Sequence, residues 1–326
     1  MNIDRTKIVH KGFVEEDLNP SLNLFEEIEF LKKKKNAVIL AHYYQEPDIQ
    51  DIADFVGDSL ALAQQAKNTN AEIILFAGVH FMAETAKILN PDKKVIVPDL
   101  NAGCSLADSC PVELFKIFLN KYPDFKVISY INCTADIKAL SDVIVTSSNA
   151  KRIIESYPLN QNLIFAPDKN LGAYLNKVTG RNMVLWPGSC MVHNIFAEKK
   201  LLLLKQKYPT AIVVAHPECQ EEILVLADFI GSTSALLDFV KKNISNDFIV
   251  CTESGILHQM KKNNPDKNFV IAPTNSSCAC NDCPHMKLNT IEKIYLSLKY
   301  ELPELKINNK LMLDALKPIE KMLSLS

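Results

Sequence analysis

No stretch of this 326-residue chain approaches the ~20 consecutive apolar residues that a membrane-spanning helix requires. No charged start followed by an apolar run appears at residues 1–19, so no signal peptide is expected and the protein is read as cytoplasmic. An excess of one charge is missing too. A net charge of −2 gives no reason to expect a nucleic-acid partner. The one basic run, Lys32–Lys35, closes a helix expected to begin near Asn19-Pro20-Ser21, where lysines are solvated and favoured by the helix dipole. Neither Gly-x-Gly-x-x-Gly nor the phosphate-loop Gly-x-x-x-x-Gly-Lys occurs, which removes support for nucleotide binding. The absence of glycine/serine-rich linkers excludes units strung as hinged beads. Nine cysteines in a cytoplasmic chain point to metal ligands, catalytic thiols or buried residues rather than disulfides.

What the chain does have is an internal repeat. An apolar run at 211–215 leads into His216 and Glu218, then an amphipathic segment, a short apolar run at 228–230, and Gly231-Ser232-Thr233 opening a helix. A similar stretch begins at Ala41-His42-Tyr43-Tyr44-Gln45 and continues to Gly57-Asp58-Ser59. A third runs from Tyr130-Ile131-Asn132 to Thr146-Ser147-Ser148-Asn149. Each copy continues with an apolar strand-like run (73–77, 162–166, 248–251), a helical segment, a turn, and a second apolar run ending in proline. Two of the turns are spelled alike, Asn90-Pro91-Asp92-Lys93 and Asn264-Pro265-Asp266-Lys267, and the middle one is Thr179-Gly180-Arg181. Length alone suggests about two domains. The repeat predicts instead three α/β units of roughly 85 residues, each a three-layer αβα arrangement, in pseudo-threefold order around a central site.

The unit boundaries are set at 36–123, 124–208 and 209–287. Residues 1–35 form a preamble ending in a helix with Leu24, Phe25, Ile28 and Leu31 on one face. Residues 288–326 are read as helices packed on the body. The first carries Leu288, Ile291, Ile294, Tyr295 and Leu298 at helical spacing, and the last lies near 310–323.

Beyond each proline lies cysteine: Cys104, Cys190, and the group Cys278, Cys280 and Cys283. Three thiolates from three loops suit a structural zinc needing a fourth ligand, or a [4Fe–4S] cluster with one iron open to substrate as a Lewis acid. Alone, a cysteine at a strand end is as readily a small buried apolar residue. Its recurrence after one turn-strand-proline pattern weighs against that. Spacing by itself does not choose among Cys278, Cys280 and Cys283.

The helix starts place Ser59, Ser147 and Thr233 where bare amides receive carboxylate or phosphate, although plain N-capping explains most hydroxyls at such positions. The strand ends supply His42, Tyr44, Tyr130, Asn132, His216 and Glu218, side chains suited to acid–base work. His193 follows Cys190 by three residues.

At these residues the sequence closely resembles the quinolinate synthase family. The matching motifs are those quoted above together with Gly188-Ser189-Cys190-Met191-Val192-His193, His216-Pro217-Glu218-Cys219 and Cys283-Pro284-His285-Met286, in order from about residue 36 to 287. The resemblance implies a [4Fe–4S] cluster held by Cys104, Cys190 and Cys283, the Cys-Pro-x-Met context selecting the last. It implies condensation of iminosuccinate with dihydroxyacetone phosphate to quinolinate, with loss of phosphate and water, on the route to NAD. Iminosuccinate contacts would be His42, Ser59, Tyr130, Asn132, Ser147, His216, Glu218 and Thr233. Tyr44 and Glu218 would transfer protons with His216 beside them, and His193 would face the phosphate-bearing substrate. Functional coupling to L-aspartate oxidase, as a source of iminosuccinate, is compatible with this reading. Some members carry Cys-x-x-Cys-x-x-Cys in the last loop; here it is Cys278-x-Cys280-x-x-Cys283, so the disulfide that goes with the longer spacing is not expected. The competing readings are a [4Fe–4S] hydro-lyase acting on one small hydroxy acid, an iron–sulfur redox sensor, and a structural zinc protein.

Overall fold

Three parallel four-stranded sheets with one strand order form the framework. The computed structural model describes residues 11–275 and 281–326. The first sheet consists of β1 (Ala37–His42), β2 (Phe55–Gly57), β3 (Ile73–Ala77) and β4 (Lys94–Ile96), ordered β2-β1-β3-β4. The second consists of β5 (Lys126–Tyr130), β6 (Val143–Val145), β7 (Leu163–Ala166) and β8 (Val184–Leu185), ordered β6-β5-β7-β8. The third consists of β9 (Ile212–Ala215), β10 (Phe229–Ile230), β11 (Asp247–Cys251) and β12 (Asn268–Ile271), ordered β10-β9-β11-β12. The fold is therefore α/β, with three repeated units. A helix between successive strands makes the parallel crossover, and helices on both faces explain why the strands read as continuous apolar runs.

Local polar chemistry explains why each repeat is spelled as it is. The aspartate before each short edge strand (Asp54, Asp142, Asp228) accepts the amide of Ile39, Val127 or Val213 on its neighbour at 2.8 Å. Its own amide returns a bond to the same residue's carbonyl. That paired bond fixes the register of a strand too short to hold itself. The duplicated turns close helices. Asn90 donates to the carbonyls of Ala66 (2.9 Å) and Ala86 (3.0 Å), while Lys93 reaches Thr69. In the third unit Asn264 donates to the Met260 carbonyl, and Lys267 to those of Val240 and Asn243. Arg181 does the same work in the middle unit, donating to the carbonyls of Ile154, Tyr157 and Pro158. Beside it Gly180 ends the helix Lys169–Thr179 at φ 65°, a left-handed conformation that glycine adopts without strain.

The chain divides into two compact units. One comprises the described residues up to Cys104 with Pro284–Leu316, and the other Ser105–Cys283 with Lys317–Ser326. In the first, Ile28 and Leu31 of the helix Leu24–Lys34 and Ile294, Tyr295 and Leu298 of the helix Ile291–Tyr300 share a core with Ile39, Leu75 and Ile96. In the second, separate cores form around Phe115, Val127 and Ile164 and around Val213, Ile223 and Ile249.

Two local expectations are corrected. The first helix begins at Leu24, not near Asn19, because Asn23 is the residue whose side chain accepts the Glu26 amide. Lys32 is not solvated. It is buried and pairs with Glu29 (2.5 Å) and Asp54 (2.8 Å), the same aspartate that pins Ile39. Among the described residues no helix is long and apolar enough to cross a membrane.

Candidate active site

In the larger unit the polar residues gather past the carboxyl ends of β5, β6, β9 and β11, where parallel sheets build their sites. Glu218 is at the centre and almost fully buried. The Tyr130 hydroxyl donates to its Oε1 at 2.7 Å. His193 Nδ1 lies 3.2 Å from Oε2, and His216 Nδ1 3.6 Å from Oε1. The two imidazoles stack, with centroids 4.7 Å apart. Outward, His193 Nε2 meets Thr252 Oγ1 at 2.9 Å and His216 Nε2 meets Ser147 Oγ at 3.3 Å. Asn132 offers a buried Oδ1 that accepts no hydrogen bond among the described residues. The ligating atoms of Cys190, His193 and Glu218 all lie within 4.8 Å of one another.

Burial alone would raise the Glu218 pKa, but His193, His216 and the Tyr130 hydroxyl outweigh it and hold the carboxyl at about 2. Glu218 is thus a carboxylate at neutral pH. Asp168 is its counterpart. Burial, then the Glu218 charge, pushes its carboxyl well above the usual range.

The smaller unit repeats part of this geometry. The Tyr44 amide donates to His42 Nδ1 at 3.2 Å, as the Glu218 amide does to His216 Nδ1 at 3.4 Å. Tyr44 and Glu218 are therefore equivalent positions, two residues beyond the strand-end histidine. The Tyr44 ring sits edge-on to His42 with centroids 4.4 Å apart. Lys287 donates to its carbonyl, and Gln50 holds the turn by donating to the carbonyls of Tyr43 and Gln45.

Three cysteines also occupy one equivalent position. The His80 amide donates to the Ala102 carbonyl at 2.7 Å, Lys169 to Gly188 at 2.8 Å, and Ser254 to Asn281 at 3.1 Å. Each acceptor stands two residues before a cysteine: Cys104, Cys190 and Cys283. Of the seven described cysteines these three are half-buried, whereas Cys110, Cys133, Cys219 and Cys251 are buried. Burial raises the Cys219 thiol, and the Cys251 thiol to about 12, as expected of inert core cysteines. Cys278 and Cys280 lie outside the described residues.

Comparison with known proteins bears on the same segments. The quinolinate synthetase A protein model matches residues 26–324. The chain belongs to the quinolinate synthetase A family. It is 63% identical over 313 residues to the quinolinate synthase of Chloroherpeton thalassium, covering 95% of this chain and 97% of that one. It is 60% identical over 304 residues to the enzyme of that name from Rippkaea orientalis (93% and 94%), and 59% identical over 312 residues to that from Cyanophora paradoxa (96% and 95%).

Within this family member Ser59, Ser147 and Thr233 are not the helix caps. Asp58 caps the helix Ser59–Asn68 by accepting the Ala61 amide, and Ser232 caps Thr233–Lys242 by accepting that of Ala235. Ser59 and Thr233 are first helical residues, one place further on. Ser147 differs, preceding its helix (Ala150–Glu155) by three residues, because Asn149 turns back to accept the Thr146 amide at 2.6 Å. Ser148 and Ser232 join at 2.8 Å, which brings two of the three starts together. A cap is therefore not what Thr233 contributes. Thr233→Val is expected to leave the melting temperature unchanged and to weaken binding of a dicarboxylate analogue by roughly 10- to 150-fold, the loss of one hydrogen bond to a charged group. Earlier melting with normal binding would make Thr233 structural.

Sequence reasoning missed Asp168, Thr252 and Glu253. Asp168 and Glu253 share an offset in the repeat, two residues past β7 and β11, and that was the available signal.

Proposed function

We propose that this chain is a quinolinate synthase that condenses iminosuccinate with dihydroxyacetone phosphate, releasing phosphate and water. Family membership supports the activity. The observation that carries its chemistry is the buried Glu218 carboxylate, held ionised among two imidazoles and a phenol beside the Cys190 thiol. Closing a pyridine ring removes protons from carbon and expels oxygen as water, so it needs a base and an acid in one site protected from solvent.

Cys104, Cys190 and Cys283 would hold a [4Fe–4S] cluster. They fit it as thiol donors: they are equivalent in the repeat, half-buried, and separate from the core cysteines. When bound with three cysteines, such a cluster supplies an iron open to substrate oxygen or nitrogen as a Lewis acid. Ser147, Thr233, Asn132 and His216 supply donors for the carboxylates of iminosuccinate, with Tyr130 and Glu218 alongside; His42 and Ser59 are the corresponding contacts in the smaller unit. Glu218 serves as the base and Tyr44, at the equivalent position, as the second proton-transfer group. His193 Nδ1 lies 3.2 Å from Glu218 and its Nε2 meets Thr252, a placement from which it orients the base. Contact with the phosphate-bearing substrate would require His193 to exchange one of those partners. An imine hydrolyses readily in water, which favours coupling to the oxidase that makes it.

Anaerobic reconstitution followed by a quinolinate assay tests the proposal. Product should require both substrates, whereas turnover of a single hydroxy acid would indicate a hydro-lyase. Tyr44→Phe removes one hydroxyl with little change in volume. The cluster should persist and the rate fall by roughly 10²- to 10⁴-fold; near-normal turnover would make Tyr44 a packing residue.

A further inference from the structure

Two residues beyond β7 and β11 the repeat places a buried carboxylate, Asp168 and Glu253, both without solvent exposure. Glu253 uses both oxygens on backbone amides. Its Oε2 accepts from Gly255 at 2.7 Å and its Oε1 from Cys283 at 3.0 Å. Asp168 accepts the Leu171 amide at 2.8 Å. Among the described residues its Oδ2 makes no hydrogen bond, so Asp168 only caps its helix, and the latch is confined to Glu253. The smaller unit has Val79 at this offset, and the Cys104 loop is held otherwise: Asp99 accepts the Asn101 amide and pairs with Lys293 at 2.6 Å.

We infer that Glu253 is a positioning residue that fixes the Cys283 loop for binding the iron–sulfur cluster. This rests on the cofactor proposed above. A carboxylate that accepts a ligand residue's own amide sets the direction of that thiol before any metal arrives. Two amides gathered on one buried carboxyl hold the loop, and burial keeps water from replacing them. Groups of this outer kind change metal affinity by roughly 10- to 100-fold. Glutamine at position 253 keeps the shape but turns an NH₂ toward one of two N–H donors, so one bond must break.

The experiment has two arms. In apo-protein, hydrogen exchange of residues 281–285 in Glu253→Gln should quicken by roughly 5- to 150-fold, the range for a buried amide donor left unpaired. Exchange around Cys104, where Val79 stands, should not change. After anaerobic reconstitution, the same variant should surrender iron to a chelator roughly 10- to 100-fold faster than the parent. Unchanged exchange overturns the latch; faster exchange with unchanged iron release reduces Glu253 to a structural residue. A parent that takes up no iron and sulfide defeats the cofactor reading itself, and that result is separate from the exchange arm. Should Glu253→Gln not fold, Glu253→Asp, one methylene short of reaching both amides, carries both arms on the same residues by the same criteria.

Discussion

Cys190→Ser is expected to fold and to hold no iron–sulfur cluster. Serine matches cysteine in shape, and the half-buried site tolerates a hydroxyl. Its hydroxyl does not ionise at neutral pH as a ligating thiol does, so the donor is lost. Cys104→Ser and Cys283→Ser should behave alike. Cys110→Ser and Cys251→Ser give the opposite pair of results. Both cysteines are buried, and their thiols are raised by burial, with the nearby Cys133 adding to the effect on Cys110. A serine hydroxyl left without a partner there costs about 1–3 kcal/mol, so these variants should melt earlier yet keep the cluster. Iron and sulfide per chain after anaerobic reconstitution, with melting curves on the same samples, decide between the two classes. Full cluster in Cys190→Ser would sink the ligand assignment.

Glu218→Gln should cost roughly 10²- to 10⁴-fold in turnover at neutral pH, because it removes the base and keeps the volume. Iron content should stay at the parental level. The stability signature has a definite sign. With a folded pKa near 2 against an ordinary 4.5, the Glu218 carboxylate stabilises the fold fully above about 4.5 and loses that contribution as pH falls toward 2. The gap in melting temperature between parent and variant should therefore narrow across that window. Part of the gap at neutral pH is offset, since removing the Glu218 charge relieves the buried Asp168. A gap that stays constant from pH 6 to pH 3 would mean that Glu218 is not ionised in the folded protein.

The framework was legible from sequence because its causes are local. Apolar runs at 73–77, 163–166 and 248–251 are strands, and the Asn-Pro-Asp-Lys turns recur because each asparagine closes its own helix, Asn90 on the Ala86 carbonyl and Asn264 on that of Met260. The repeat also indicated which residues are counterparts: His42 with His216, and Ser59 with Thr233. Only tertiary structure decided which polar groups meet. Spacing left Cys278, Cys280 and Cys283 open and the family's Cys-Pro-x-Met context pointed to Cys283; what the structure adds is that the Asn281 carbonyl receives the Ser254 amide, as those of Ala102 and Gly188 receive the amides of His80 and Lys169. Nothing near Lys32 in sequence announces Asp54, and nothing near His193 announces both Glu218 and Thr252. Hydrophobic periodicity and turn chemistry act over a few residues, so one stretch of sequence contains them. A buried charge depends on partners tens of residues away and on the exclusion of water, and those exist only once the sheets are packed.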